Sequence, residues 1–261
     1  MEISDIEIRV PTRGNRRLEA LLGAANGDRR LHAWWYMQQV NADRRDMSDH
    51  SWVHIQILAN IALRLFRLLN RAGVEPAMVS QHGMRPRDAE VVIAAACLFH
   101  DTGMSIHRTD HEQYSLFLAA DRLPLLLEGV YEEPDLTVVT SEALHAVIGH
   151  RRRGDPITME AGIVRVADAL DMASGRSRIP FETRRPNIHS ISAAAIDGVT
   201  IEAGEERAVR IEIEMNNSSG LFQVDELLAT KLRGSGIEEH IEVVAEIDAE
   251  HEKRLVPVFR I

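Results

Sequence analysis

The chain has one cysteine, Cys97, and only two lysines, Lys231 and Lys253, among its 261 residues. A single cysteine excludes an internal disulfide and fits a reducing, cytoplasmic setting. Cys97 lies inside an apolar run and reads as a small buried hydrophobe. Every other basic residue is an arginine, so an individual arginine carries little functional information. Long apolar runs are scarce. The longest, Val91 to Phe99, has nine residues, against the about twenty that a membrane-spanning helix needs, so no span is expected. The start, Met1-Glu2-Ile3-Ser4-Asp5, lacks a basic region followed by an apolar stretch, so no secretory signal is expected. Positive charge is also in deficit: 30 Lys+Arg against 40 Asp+Glu leaves −10. That excludes general nucleic-acid coating, which needs basic surface to displace counterions. A nucleotide-sized substrate stays open, because a bound metal can reverse the local field.

What is present is an ordinary globular composition, 45% apolar and 27% charged. The length suits one large domain, or one domain with a smaller unit appended. Residues 5–13 alternate briefly and suit a short strand or an arm. From about 15 to 180 the pattern is helical. Leu18, Leu21 and Leu22 open it, and Leu31, Trp34, Trp35 and Met37 continue it. Trp52 to Leu69 reads as a long amphipathic helix with Val53, Ile57, Ile61, Leu65 and Leu68 as its apolar stripe and Arg64 and Arg67 off it. Pro86 sits at a first helical position, and Ala89 to Phe99 is apolar nearly all round, as in a helix buried on every side. Thr109 and Glu112 have capping-box spacing, which starts a helix near Asp110. Ser141 to His150 and Thr158 to Ala173 read as two more helices, the second with Pro156 near its start and Gly175 past its end.

After about residue 186 the period changes. Val209, Ile211, Ile213 and Met215 alternate with charged residues and predict a half-buried strand. Ile241 to Ile247 and Leu255 to Ile261 read as further strands, the last at an edge because of Pro257. Leu221 to Leu232 reads as a helix ended by Gly234-Ser235-Gly236. The expected fold is therefore mainly α: a helical domain over 1–185 and a small α+β domain over 186–261. Residues 189–261 carry −8 of the −10 charge, which solubility explains without a partner.

The chemistry sits in the apolar helices. His100-Asp101 follows directly on Ala94-Ala95-Ala96-Cys97-Leu98-Phe99. Burying an unpaired carboxylate costs several kcal/mol, of the order of a domain's whole net stability, so the pair needs a partner, either a cation or an arginine. Asp168 and Asp171, at i and i+3, fall on one face of an apolar helix. His50 and His54, at i and i+4, also share a face. Imidazole plus carboxylate suits Mn, Fe, Co, Ni or Zn. The residues alone leave other readings open. His54 also suits a satisfied core histidine, Asp168 an arginine pair, and Arg151-Arg152-Arg153 a solvated charge run.

Four segments taken in order resemble the HD superfamily of metal-dependent phosphohydrolases. They are Asp49-His50-Ser51-Trp52-Val53-His54, Leu98-Phe99-His100-Asp101-Thr102-Gly103, His111-Glu112-Gln113-Tyr114-Ser115 and Val166-Ala167-Asp168-Ala169-Leu170-Asp171. The resemblance spans roughly half the chain and implies an all-helical HD domain in which His54, His100, Asp101 and Asp168 bind a divalent transition metal, Mg being a further option. It also implies that histidines between the doublet and the last Asp bind a second ion or act on substrate. His111 and His150 are favoured over His145. Under this reading the metal activates a water and holds a phosphoryl oxygen, Asp101 bridges two ions if two bind, and His111 protonates the leaving oxygen or completes the second site. Arg176, Arg178 and His50 are the candidate substrate contacts.

Met104 replaces the lysine of many cyclic-dinucleotide phosphodiesterases, and their Gly-Tyr-Pro signature is absent, which argues against cyclic-di-GMP. The expected substrate is a phosphorylated small molecule, a nucleotide first. Two alternatives stand beside hydrolysis. One is a di-iron oxygenase with six ligands drawn from His54, His100, Asp101, His111 or His145, His150 and Asp168. The other is a nucleotide-sensing regulatory module. A homo-oligomer is compatible with the α+β unit.

Overall fold

The computed structural model describes residues 6–151, 153–172 and 188–247. The expected strand at Leu255 to Ile261, Gly175 beyond the Asp168 helix, and the candidate substrate contacts Arg176 and Arg178 all lie outside these residues. Within them, a helical body precedes a three-stranded sheet, as expected.

The N-terminal residues form an arm instead of a strand. Ile6 and Ile8 are buried, and side-chain amides take over the hydrogen bonds a sheet would make. Asn26 accepts from Ile8 N (2.8 Å) and donates to Ile8 O (3.0 Å), while Gln56 accepts from Arg9 N (2.8 Å). Helices α1 (Arg16–Gly27) and α2 (Arg29–Asp43) follow, capped by Asn15 and Asp28.

Helix α3 (Trp52–Arg71) starts at Ser51, whose side chain accepts from Val53 N. It is long and apolar enough to cross a membrane by length and composition, but it serves as a core helix. Its inward face is Ile55, Leu58, Ala62, Leu65, Phe66 and Leu69, with His54 among them. The stripe expected from periodicity is therefore rotated: Val53 and Ile57 are 36% and 40% exposed. Apolar residues cover so much of this helix that spacing alone does not choose the phase. The side carrying Ile61, Arg64 and Leu68 meets a second layer, the C-terminal sheet, where Arg64 donates to Ile201 O.

A short helix α4 (Ala77–Ser80) leads to α5 (Pro86–Phe99), with Pro86 in the first turn. Every side chain of α5 from Asp88 to Phe99 is buried, as its composition predicts. Burial pushes the Cys97 thiol up, so it stays protonated. Helix α6 (His111–Leu126) begins where expected, but the Thr109–Glu112 box does not form. Asp110 takes a left-handed conformation (φ 59°) without capping, and Glu112 turns toward His111. Helix α7 (Asp135–Gly149) begins six residues before the expected Ser141. Helix α8 (Met159–Leu170) is capped by Thr158 and stops short of the expected Ala173.

Beyond α9 (Ile188–Ala194) the sheet has the order β1 (Ile196–Ala203), β2 (Val209–Met215) and β3 (Ile241–Ile247). The periodicity reading passed over β1. Its glycine and two exposed acidic residues blur the alternation, and pairing to β2 (Val199 opposite Ile213, Ile201 opposite Ile211) defines it instead. In β2 the alternation holds: Val209, Ile211, Ile213 and Met215 are buried, and they join one core cluster with the helices.

Strands β2 and β3 run parallel, so the chain must cross back before pairing, and such crossovers are usually helical. The expected Leu221 to Leu232 helix fills this role. It is wound as a π-helix over Gln223–Ala229 and as an α-turn over Thr230–Leu232. The crossover lies directly on α8. Gly162 makes this possible, because a Cβ there would collide with Ser235 O, and Arg165 donates to Thr230 O (3.2 Å).

Candidate metal centre

The centre lies where α3, α5, α6, α7 and α8 converge. His100 caps the C-terminal end of α5, and Asp101 follows it. This turn is clamped on two sides. Thr102 Oγ1 donates to Phe99 O (2.8 Å), and Ser115 Oγ of α6 donates to His100 O (2.8 Å) while accepting from Gly103 N (2.8 Å). Gly103 has no room for a side chain, since a Cβ would collide with His111 O and Ser115 N.

Two donor groups result, His54 with His100 and Asp168, and Asp101 with His111 and His150. In each, the donor atoms lie within 4.8 Å of one another. Asp101 faces both groups. Its Oδ2 is 3.3 Å from His100 Nε2 and 3.9 Å from His54 Nε2, and its Oδ1 is 2.9 Å from His111 Nε2 and 3.9 Å from His150 Nε2. Asp168 Oδ1 is 3.4 Å from His54 Nε2. The structure thus brings together all six residues expected to bind metal.

The ring orientations give this set its chemistry. Each imidazole has its Nδ1 against an outer oxygen: His54 on Asp171 Oδ2 (2.6 Å), His100 on Cys97 O (2.9 Å), His111 on Arg108 O (3.1 Å) and His150 on Val147 O (2.6 Å). Nδ1–H donation to these oxygens leaves the Nε2 lone pairs of His54, His100 and His150 facing inward, with His54 Nε2 3.2 Å from His100 Nε2, whereas His111 Nδ1 also meets the Arg108 Nη1 donor at 2.7 Å. Inward lone pairs at that separation repel unless a cation lies among them. Outer-sphere acceptors on ligating imidazoles are the usual companions of a metal, so the donor set fits divalent ions.

Protonation agrees with this. Burial alone would raise the Asp101 carboxyl, but the neighbouring His100 and His111 outweigh it and hold the group well below the usual range. Burial likewise opposes the Asp168 charge, and Lys231, then His54, overcome it. Burial above all, with His100 and Lys231 beside it, pushes His150 down to about 3, so its ring is neutral and able to ligate. Burial also acts downward on His111, but Asp101 more than offsets it and its pKa is raised. A proton on His111 Nε2 therefore competes with an ion in the second group. Ion affinity there is expected to fall as pH drops below this raised pKa, with proton release on binding. Calorimetry in two buffers of different ionisation heat measures that release. A pH-independent affinity would contradict His111 as a ligand.

Two expectations need correction. His50 precedes α3 instead of sharing a face of it. Its Nδ1 lies 2.8 Å from Ser48 O and its ring 5.8 Å from that of His54, beside the donor groups but in neither. Asp168 and Asp171 do not act from one helical face. Asp171 lies past the end of α8, and the two carboxylates bracket the His54 ring from opposite nitrogens. His145 accepts from Ile157 N, outside both groups. Arg151 and Arg153 are exposed, as the solvated reading expects.

Three residues around the centre have partners that the sequence did not foresee. Asp171 carried a signal as the second acid of an apolar segment. Arg108, whose Nη1 is 2.7 Å from His111 Nδ1, carried none. Lys231 pairs with Asp168 Oδ2 from the crossover, and its only signal was the rarity of lysine. Asp171→Asn is expected to weaken ion binding about 10–100-fold, as loss of an orienting partner does, with helical circular dichroism unchanged. An unaltered affinity in a metal titration would mean that Asp171 does not orient His54.

Comparison with known proteins agrees with the geometry. The HD domain model matches residues 47–173, the segment that holds the whole donor set. The chain is 35% identical over 224 residues to the uncharacterized protein MJ1020 of Methanocaldococcus jannaschii, covering 85% of this chain and 86% of that protein.

Proposed function

Since the chain belongs to the HD-domain family, we propose that it is a metal-dependent phosphohydrolase that cleaves a phosphate ester or anhydride, with a nucleotide as substrate. The observation that carries this reading is the convergence of four imidazole Nε2 atoms on two carboxylates, a buried one that faces both groups and a partly buried one. Divalent ions held there supply a Lewis acid for a phosphoryl oxygen and a water made acidic enough to attack.

The chain's own residues hold and orient. His54, His100 and Asp168 would hold one ion and His111 and His150 another, with Asp101 facing both groups. Imidazole and carboxylate donors suit Mn, Fe, Co, Ni or Zn better than Mg. Asp171, Cys97 O, Arg108 O and Val147 O keep the rings turned inward. His111 is assigned to the ligand set in preference to the acid role, because its Nε2 faces Asp101 Oδ1. His50, Arg176 and Arg178 are assigned to substrate, and the protein to the cytoplasm.

The test is a panel of nucleotides and phosphoesters with the ion-loaded protein in Mn, Ni, Co, Zn and Mg, with products identified. Phosphate release that chelator abolishes and His100→Ala loses is the expected result. No release from any substrate would overturn the reading, and tight nucleotide binding without product would point to a sensor. The six-donor set with a shared carboxylate also suits a di-iron oxygenase. Iron near two per chain with oxygen consumption during turnover would favour that instead.

A further inference from the structure

We propose that Lys231, carried by the crossover between β2 and β3, binds the substrate's phosphoryl group, so that the C-terminal unit forms one wall of the active site. The inference rests on the phosphohydrolase reading and extends it to a residue outside the matched segment 47–173.

The first support is position. Lys231 Nζ pairs with Asp168 Oδ2, while Oδ1 of the same carboxylate faces His54 Nε2 at 3.4 Å. The Asp168 and Lys231 side chains are each 15% exposed, whereas those of His54, His100, Asp101, His111 and His150 are at most 7% exposed. Among the described residues the centre is therefore most exposed at Asp168 and Lys231, which sets the ammonium group beside a substrate arriving at the ions from that side.

The second support is residue type. Among the described residues, three buried carboxylates away from the site pair with arginine, Asp88 with Arg17, Glu90 with Arg67 and Asp28 with Arg122, while Glu160 is held by backbone N–H groups. Arginine gives a fixed, fork-shaped pairing, whereas lysine is a compact charge with three rotatable donors. Lys231 can hold Asp168 with one N–H and offer the others to phosphoryl oxygens. The third support is scaffolding. Arg165 anchors Thr230 O, and Gly162 lets Ser235 O rest on α8, so the backbone on both sides of Lys231 is pinned to the helix that carries Asp168. The segment just before it is wound as a π-helix, a departure that is frequent at functional sites. The ions' charge exceeds that of the two ligand carboxylates, and the ammonium adds to that excess, which favours a phosphate dianion.

The experiment uses full-length, ion-loaded protein and its Lys231→Gln and Lys231→Arg variants. Three quantities are measured: ion content by elemental analysis, affinity for inorganic phosphate by calorimetry, and KM and kcat for a phosphomonoester. Lys231→Gln should keep its ions, because all six donors remain. Its phosphate affinity should fall about tenfold or more, as loss of a charge-assisted contact does. KM should rise in parallel with a smaller change in kcat, and Lys231→Arg should recover part of the loss. Unchanged phosphate affinity in Lys231→Gln overturns the proposal, and so does loss of its ions, which would make Lys231 only a support for Asp168. Wild-type protein that holds ions but binds no phosphate overturns it too. Wild type that binds phosphate through Lys231 yet hydrolyses no phosphoester would defeat the hydrolase reading and leave this assignment standing.

Discussion

Asp101→Ala is expected to lower ion content to one per chain or less, and to cut phosphoester hydrolysis by more than about a hundredfold, the upper end of what loss of an outer-sphere partner costs. The reason is the division of its two oxygens, one toward His54 and His100 and the other toward His111 and His150. Without it the first group keeps three donors and the second keeps two imidazoles. No other carboxylate reaches both groups among the described residues. Elemental analysis after gel filtration, with turnover on the best substrate, measures both effects. Two ions retained at wild-type affinity would show that Asp101 is not shared. The substitution should leave helical content intact, since it removes a carboxylate that burial disfavours and neighbouring imidazoles sustain.

Gly103→Ala is expected to act through the fold with a similarly large effect on the site. Gly103 sits where the turn after the doublet presses on the start of α6, and a methyl group would collide with His111 O, Ser115 N and Tyr114 Cβ. The first two are backbone atoms that no rotamer change can move. Overpacking costs about 1–3 kcal/mol, and occasionally more, where surroundings cannot yield. Relief would come only by moving His111 away from Asp101 or by breaking the Ser115 bonds to His100 O and Gly103 N. The melting temperature of the ion-free protein should therefore drop by several degrees, and ion affinity should fall with it. A variant with wild-type melting and ion binding would show that the approach relaxes without cost.

Much of this was legible in the residues. The burial of α5 on every side follows from its composition, and the start of α8 was read at Thr158 with Pro156 just before it. The alternation of β2 marks one buried face. The order of His54, His100-Asp101 and Asp168, each next to or within an apolar helix, carried the resemblance to the HD superfamily, and the resemblance implied the metal. What failed did so for identifiable reasons. The phase of α3 was ambiguous because two layers pack on it. The capping box at Thr109 lost to the demand that Glu112 meet His111. The strand β1 owes its existence to its partner.

The sequence by itself determined the helices, the alternating strand and the kinds of donor available, because periodicity and side-chain chemistry are local properties. Tertiary structure decided which nitrogen of each histidine faces inward, that Asp101 serves both groups, that Asp171 meets His54 across 117 residues, and that Lys231 meets Asp168 across 63. Those contacts depend on how helices and a crossover pack against one another. No spacing along the chain encodes such an arrangement, because the energy that selects it comes from burying many surfaces at once.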